Sequence, residues 1–157
     1  MTISQAITLA AAATMLLSVL APGQDQEKKI KRSDLPPAVE KAVVEQSQGA
    51  TIRGFSQERE NGETFYEAEL MVKGHSKDVL MAADGAVVEV EEQVSTSSLP
   101  AVVRQGLRDK AGSGKLVKVE KLIKKDKLVA YEAKVLTDGK KSEVQVGPDG
   151  KALDHEE

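Results

Sequence analysis

The chain has 157 residues, of which 40% are hydrophobic and 30% charged, with a formal net charge of −3. This length suits one domain or two very small ones, and the composition is typical of a soluble folded protein. The absence of cysteine excludes disulfides, thiolate nucleophiles, zinc–thiolate sites and lipid attachment through cysteine, while the aromatic content of 3% predicts an aliphatic core and disfavours base stacking.

The N-terminal segment, residues 1–23, has no charged side chain, and residues 6–21 are small or apolar apart from three Ser and Thr residues. A membrane-spanning helix needs about 20 apolar residues, so this shorter run predicts a secretory signal peptide that is cleaved after Gly23. The mature protein is then periplasmic or secreted, with no stable membrane span. The alternative is an uncleaved segment that anchors the protein in the membrane. Residues 24–32 are polar and charged and predict a flexible linker.

Residues 33–94 and 95–157 repeat one sequence pattern, which predicts two copies of one module. The matching segments are SDLPPAVEKAV from Ser33 and SSLPAVVRQGL from Ser97, YEAEL from Tyr66 and YEAKV from Tyr131, and Asp84-Gly85 and Asp149-Gly150. Each repeat is predicted to begin with a helix. Asp34 and Ser98 are the candidate N-caps, and the proline that follows two residues later is tolerated in the first turn.

Four strands are predicted to follow each helix, because turn-forming pairs separate short segments of alternating polarity. These turns are Asn61-Gly62, Gly74-His75 and Asp84-Gly85 in the first repeat, and Asp126-Lys127, Asp138-Gly139 and Asp149-Gly150 in the second. The predicted fold class is α+β, with tandem α-β-β-β-β repeats and an antiparallel sheet with the helices packed on one face. We favour one shared sheet of about eight strands, since few residues separate the repeats; two separate small domains are the alternative.

Alternation along the central strand of each repeat divides its side chains between two faces. The set Tyr66, Ala68 and Leu70, with Tyr131, Ala133 and Val135, is predicted to pack under the helices. A sheet with helices on one face leaves the other face to solvent, so that face is the predicted binding surface. Its candidate binding residues are Phe65, Glu67, Glu69, Met71, Ala130, Glu132, Lys134 and Leu136.

The repeated segments LPPAVEKAV, YEAEL and DVLMAADGAVVEVEEQ, with LPAVVRQGL, YEAKV and SEVQVGPDGKALDHEE, resemble the PepSY-like module over residues 33–93 and 97–157. This resemblance implies an exported bacterial protein built from α-β-β-β-β repeats. Tandem members are similar in fold to the beta-lactamase inhibitory proteins, which hold an enzyme on the open face of the sheet. The resemblance therefore implies a binding or inhibitory module that restrains a peptidase or another envelope protein.

Charge is distributed unevenly between the repeats. Residues 33–94 carry 5 Lys and Arg against 13 Asp and Glu, a net −8, whereas residues 95–157 carry 13 against 10, a net +3. One interpretation is unequal decoration of solvated faces; the other is a polarised surface that steers a charged partner. An alternative function follows from the acidic half, namely an envelope sensor of cations or small basic ligands that uses Glu67, Glu69 and Glu89.

No pattern in the sequence predicts catalysis. The segment Gly112-Ser113-Gly114-Lys115 lacks the first glycine and the Ser or Thr of a phosphate loop, and no Gly-x-Ser-x-Gly elbow is present. His75 and His155 are expected to be solvated. The sequence therefore predicts a protein that is not an enzyme and has no cofactor and no metal. Its partner is an unknown protein or peptide; nucleic acid is disfavoured by the acidic balance.

Overall fold

The computed structural model describes residues 27–60, 62–155 and 157. The predicted signal peptide, 1–23, and the first part of the predicted linker lie outside these residues. Within the described part of the chain, no helix combines the length and apolar character needed to cross a membrane.

The described residues form two α-helices and eight strands. The helices are α1, Pro37–Gln46, and α2, Ala101–Ala111, each preceded by a short 3-10 turn. The strands are β1 (Lys28–Ile30), β2 (Thr51–Glu60), β3 (Glu63–Val72), β4 (His75–Ala82), β5 (Val87–Gln93), β6 (Lys115–Lys124), β7 (Lys127–Thr137) and β8 (Lys140–Val146).

The eight strands form one antiparallel sheet in which each strand pairs with the next along the chain. The pairing of β5 with β6, which we call the seam, runs from Glu89 opposite Lys124 to Gln93 opposite Glu120. The seam joins the strands that follow α1 to the strands that follow α2. The expectation of one shared sheet is therefore confirmed.

Strand register places both helices on the same face of this sheet. Val79 lies opposite Val90, and Val90 lies opposite Ile123 across the seam. Lys121, two residues from Ile123 and hence on the same face, lies opposite Tyr131. Two hydrophobic clusters fill this face. Cluster one contains Leu35, Val39, Ala42, Val43, Phe55, Ala68, Leu70, Val79 and Met81; cluster two contains Leu99, Val103, Leu107, Val119, Tyr131, Ala133 and Val146.

The predicted N-caps Asp34 and Ser98 are wrong, because the helices begin later. Leu35 precedes a proline, which disfavours helical backbone angles, and Leu35 has φ −72° and ψ 137°. Asp34 instead lies in the 3-10 turn, where its Oδ2 accepts a hydrogen bond from the Lys31 amide at 3.0 Å. Pro36 and Pro100 occupy the N-cap positions.

The predicted eighth strand, at the end of the second repeat, is also wrong. Residues 151–155 form no strand, and the Gly147 amide instead donates a hydrogen bond to the Lys151 carbonyl at 2.8 Å, which folds the chain back. The eighth strand of the sheet is instead β1, at the opposite edge beside β2. The prediction of a flexible linker is therefore wrong for Lys28–Ile30, which form this strand. Ile30 lies opposite Phe55 on β2 and packs against cluster one, which gives this short edge strand an apolar anchor.

Each helix packs against an Asp-Gly turn. A β-carbon added to Gly85 would lie 2.5 Å from the Ala38 carbonyl oxygen of α1, and one added to Gly150 would overlap the Val102 carbonyl of α2. Both glycines have positive φ, 85° and 79°. The turns therefore need glycine for two reasons, backbone conformation and close approach to a helix.

Candidate functional site

The open face is defined here as the face of the sheet opposite α1 and α2, and a row of carboxylates crosses its middle. Glu69 on β3 lies opposite Asp78 on β4, and Asp78 lies opposite Glu91 on β5. Beyond the seam, Glu120 on β6 lies opposite Glu132 on β7. Like charges directly opposite on neighbouring strands destabilise a sheet, so this row requires protons or countercharges.

Beside the row, the open face of the first half forms a cavity of about 190 Å³. The side chains that line it are Glu27, Glu58, Glu67, Asp78, Leu80, Glu89 and Glu91. All of these residues except Leu80 carry a carboxyl group. The arrangement attracts cationic groups and disfavours anions.

Burial raises the pKa of two carboxyls in this region. The pKa of Glu91 rises to about 8, mainly because the group is removed from water and further because Glu120 and Glu132 are near. The pKa of Asp78 rises to about 6, again mainly through burial, with Glu67 adding to the effect. At neutral pH a proton on Glu91 therefore relieves part of the repulsion in the row.

Burial also raises the pKa of Glu132, although a hydrogen bond from Gln145 opposes the shift. This bond joins Nε2 of Gln145 to Oε2 of Glu132 at 2.9 Å. The Gln145 side chain in turn accepts a hydrogen bond from the Glu157 amide at 2.9 Å. The end of the chain is thereby held beside the second half of the open face.

Lysines supply part of the countercharge. Nζ of Lys118 lies 2.5 Å from Oε1 of Glu120, and Nζ of Lys134 lies 3.8 Å from Oε2 of the same carboxylate. Across the seam, Nζ of Lys124 lies 3.4 Å from Oε2 of Glu89. The lysines cluster on β6 and β7, so the open face is acidic on the first half and mixed on the second.

Two groups of three carboxylates on this face are close enough to share one cation. In each group, one oxygen from every residue lies within 4.8 Å of the others. The first group is Glu27, Glu67 and Glu69, and the second is Asp78, Glu91 and Glu120. Among the described residues these are the groups that offer metal-ligand geometry.

The structure divides the predicted binding residues into two sets. Glu67, Glu69 and Lys134 are half-buried on the open face, and Leu136 is 38% exposed, more than Val135 as predicted. Met71 is likewise more exposed than Leu70. These residues are accessible to a partner.

Ala130 and Glu132 were expected on an accessible surface, and this is wrong. Ala130 is 0% exposed and Glu132 8%. Ala130 lies opposite Leu122, which is itself buried at 2% exposure, so this part of the open face is covered. Phe65 and Tyr66 are both half-buried, so the greater exposure expected for Phe65 stays a prediction.

Sequence reasoning missed Asp78, Glu91 and Glu120 as site residues. Alternation along β5 places Glu89 and Glu91 on one face, and that much is visible in the sequence. Their approach to Glu120 depends on the register of the seam, which no turn fixes because 21 residues separate β5 from β6. The missing information was therefore long-range pairing.

Comparison of the sequence with protein-family models gives no match, and comparison with curated proteins gives none either. Solved structures do match. A BLIP-like protein from Bacteroides fragilis is 20% identical with a TM-score of 0.57, and the alignment covers 76% of this chain and 83% of that one. A DUF2874 family protein from Bacteroides ovatus is 21% identical with a TM-score of 0.59, covering 76% and 86%.

A third similar structure, from Bacteroides eggerthii, is named a "putative periplasmic" protein; it is 17% identical with a TM-score of 0.62, covering 76% and 86%. Likenesses at this level of identity establish the fold. The chain has a BLIP-like α+β fold, an eight-stranded antiparallel sheet with two helices. The expected similarity in fold to the beta-lactamase inhibitory proteins is thus supported, while the PepSY-like assignment stays a prediction.

Proposed function

We propose that this chain is an exported, non-catalytic binding module that holds a protein partner on the open face of its sheet. The observation that carries the proposal is the open face itself. Neither helix covers it, and its first half carries six carboxyl side chains around one cavity. A partner segment rich in Lys and Arg fits this surface, because opposite charge steers association and fixes orientation.

The proposal includes restraint of the partner, by analogy with the BLIP-like fold. A peptidase is the partner class that the PepSY-like resemblance implies, and the periplasm or the exterior is the compartment implied by the predicted signal peptide.

Two features support a repeat origin for the halves. Gly85 packs on Ala38 and Gly150 packs on Val102, and both pairs occupy matching positions of the sequence pattern.

Affinity capture from an envelope extract tests the proposal when it is combined with variants of the open face. We expect the double variant Glu67→Gln/Glu89→Gln to lose the captured partner, because it removes two charges from the acidic cavity. The matched control is Glu45→Gln/Asp109→Asn, which removes two charges from the exposed surfaces of the helices. Raising the salt concentration should release the partner, since exposed charge pairs are screened over about 8–10 Å.

Two results would contradict this proposal. One is recovery of no partner at any salt concentration. The other is equal capture by the open-face variant and the control, which would place the binding surface elsewhere. If the captured fraction hydrolyses peptides, adding excess wild-type protein should lower that activity; unchanged hydrolysis would remove inhibition from the proposal while leaving binding intact.

A further inference from the structure

A second binding position lies on the half of the open face that follows the seam, where Glu157 lies against the sheet. Its side chain is only 24% exposed. The Glu157 amide donates a hydrogen bond to Oε1 of Gln145 on β8 at 2.9 Å, and Oε2 of Glu157 lies 3.7 Å from Nζ of Lys124 on β6. The other carboxylate oxygen lies 3.8 Å from Nε2 of His155. Two different strands therefore hold one residue by its backbone and by its charge.

Gln145 offers a fixed hydrogen-bond acceptor at this position. The residue is 6% exposed, and its Nε2 donates a hydrogen bond to Oε2 of Glu132 at 2.9 Å. A side-chain amide donates through nitrogen and accepts through oxygen, so this bond directs Oε1 away from Glu132 and towards the bound amide. The matching residue of the first half is Leu80, which has no acceptor. The arrangement is therefore particular to the second half.

The sheet surface between the two contacts is apolar. Ala130 lies two residues from Glu132 along β7 and opposite Leu122, which lies two residues from Lys124 along β6. Residues two apart on a strand share a face. The line from Gln145 to Lys124 therefore crosses Ala130 and Leu122, and both are buried. An extended segment on this line removes water from its own polar contacts, and this strengthens them.

We propose that this part of the open face is a binding site for an acidic peptide segment, and that Glu157 occupies it as an intramolecular ligand. The segment provides one backbone amide, which Gln145 accepts, and one carboxylate, which pairs with Lys124. A neutral hydrogen bond and a partly exposed ion pair each favour the bound state only severalfold. A segment from another protein can therefore displace Glu157.

Lys124 connects this site with the acidic cavity of the first half. Its Nζ also lies 3.4 Å from Oε2 of Glu89, which lines that cavity. A basic residue of a partner that pairs with Glu89 leaves Lys124 to the acidic segment. The inference rests on the proposed function in this respect and deepens it, because the partner that fits the whole open face carries a basic and an acidic side chain close together.

Nuclear magnetic resonance titration of the isotope-labelled full chain with a peptide tests the inference. The peptide is KALDHEE, the sequence of residues 151–157, acetylated and amidated so that its ends carry no charge. In the wild type Glu157 competes for the site, so the peptide should bind weakly. Glu157→Pro removes both the amide donor and the carboxylate, and it should tighten peptide binding at least about fivefold. The matched control Glu143→Ala removes one exposed charge from β8 and should bind as the wild type does.

Gln145→Leu, which introduces the residue of the first half, should abolish peptide binding when it is combined with Glu157→Pro. Lys124→Gln in the same background is the second variant, in case Gln145→Leu does not fold, and it should weaken binding severalfold.

Two results overturn the inference. One is an unshifted Gln145 side-chain amide signal in Glu157→Pro up to about 10 mM peptide, above the millimolar effective concentration of a short tether. The other is equal tightening by Glu143→Ala and Glu157→Pro, which would assign the effect to diffuse charge. The titration requires no captured partner, so a failure of this site and a failure of the proposed function are distinguishable.

Discussion

Glu91 brings together burial, charge and pH at one residue. Its pKa rises from an ordinary value of 4.5 to about 8 in the folded protein. The folded state therefore holds a proton that the unfolded state releases between these two pH values. The contribution of this group to stability is complete below about pH 4.5 and is lost as the pH rises through about 8.

We expect the free energy of unfolding to fall as the pH is raised from about 4.5 to about 8, by on the order of 2–4 kcal/mol. Glu91→Gln should remove most of this dependence, because the amide is neutral at every pH. In this variant Asp78, whose pKa is raised to about 6, should leave a smaller decline in the free energy of unfolding at the acidic end of the pH range. Urea unfolding at several pH values in the presence of a chelator measures both.

The control for this prediction is Glu45→Gln, which should retain the full pH dependence of the wild type. An unfolding free energy that is flat across the range would mean that Glu91 is solvated in the folded protein.

The same residue illustrates the limit of prediction from sequence. Alternation predicts which face Glu91 occupies, but its burial depends on Glu120 and Leu122, which come from a strand about thirty residues away.

At the scale of the element, the two Asp-Gly turns support the helices as well as connecting chain segments. The sequence predicted a turn at Asp84-Gly85, and Asp84 stabilises it, since its Oδ1 accepts a hydrogen bond from the Ala86 amide at 2.9 Å. The contact of Gly85 with Ala38 on α1 was not predictable. It depends on where the helix begins, and the Leu-Pro pair moved that point two residues beyond the expected caps.

Gly85→Ala should therefore destabilise the protein more than Gly74→Ala. Both glycines have φ 85°, so each substitution carries the cost of a left-handed alanine, about 1–2 kcal/mol. A β-carbon at Gly74 meets open space, whereas one at Gly85 lies 2.5 Å from a helix carbonyl. We expect Gly85→Ala to lower the free energy of unfolding by about 2 kcal/mol more than Gly74→Ala does. Urea unfolding measures this as the difference between the two midpoints multiplied by the m-value. Equal losses would mean that α1 moves away without cost.

At the scale of the whole molecule, two hydrophobic clusters with no residue in common lie under one continuous sheet. Each cluster belongs to a unit of about 60 residues, a size at which a single core is marginal. Separation at the seam would also expose two strand edges, β5 and β6. The halves are therefore expected to stabilise each other and to unfold together.

Tyr131→Ala tests this cooperativity. Tyr131 is buried in cluster two, and its truncation should cost roughly 3–5 kcal/mol. If the halves unfold as one unit, native-state hydrogen exchange should accelerate by similar factors for the most protected amides of β3 and β7. Tyr66→Ala, at the matching but half-buried position, should cost less. Acceleration confined to β6–β8 would show that the halves are independent.

The sequential order of the strands has a consequence for how the chain reaches its folded state. Each pairing in the described sheet joins strands that are consecutive along the chain. Five of the seven pairings are closed by turns of two to four residues, whereas β1–β2 and β5–β6 are each separated by about twenty residues that include a helix. Proteins dominated by such local pairings have low contact order, and they fold faster than sandwiches and barrels that must close long loops first. A chain that emerges N-terminus first, from a ribosome or a membrane pore, can extend the sheet strand by strand. At each stage the growing sheet has two unpaired edges, the outer edge of its first strand and that of the strand most recently formed.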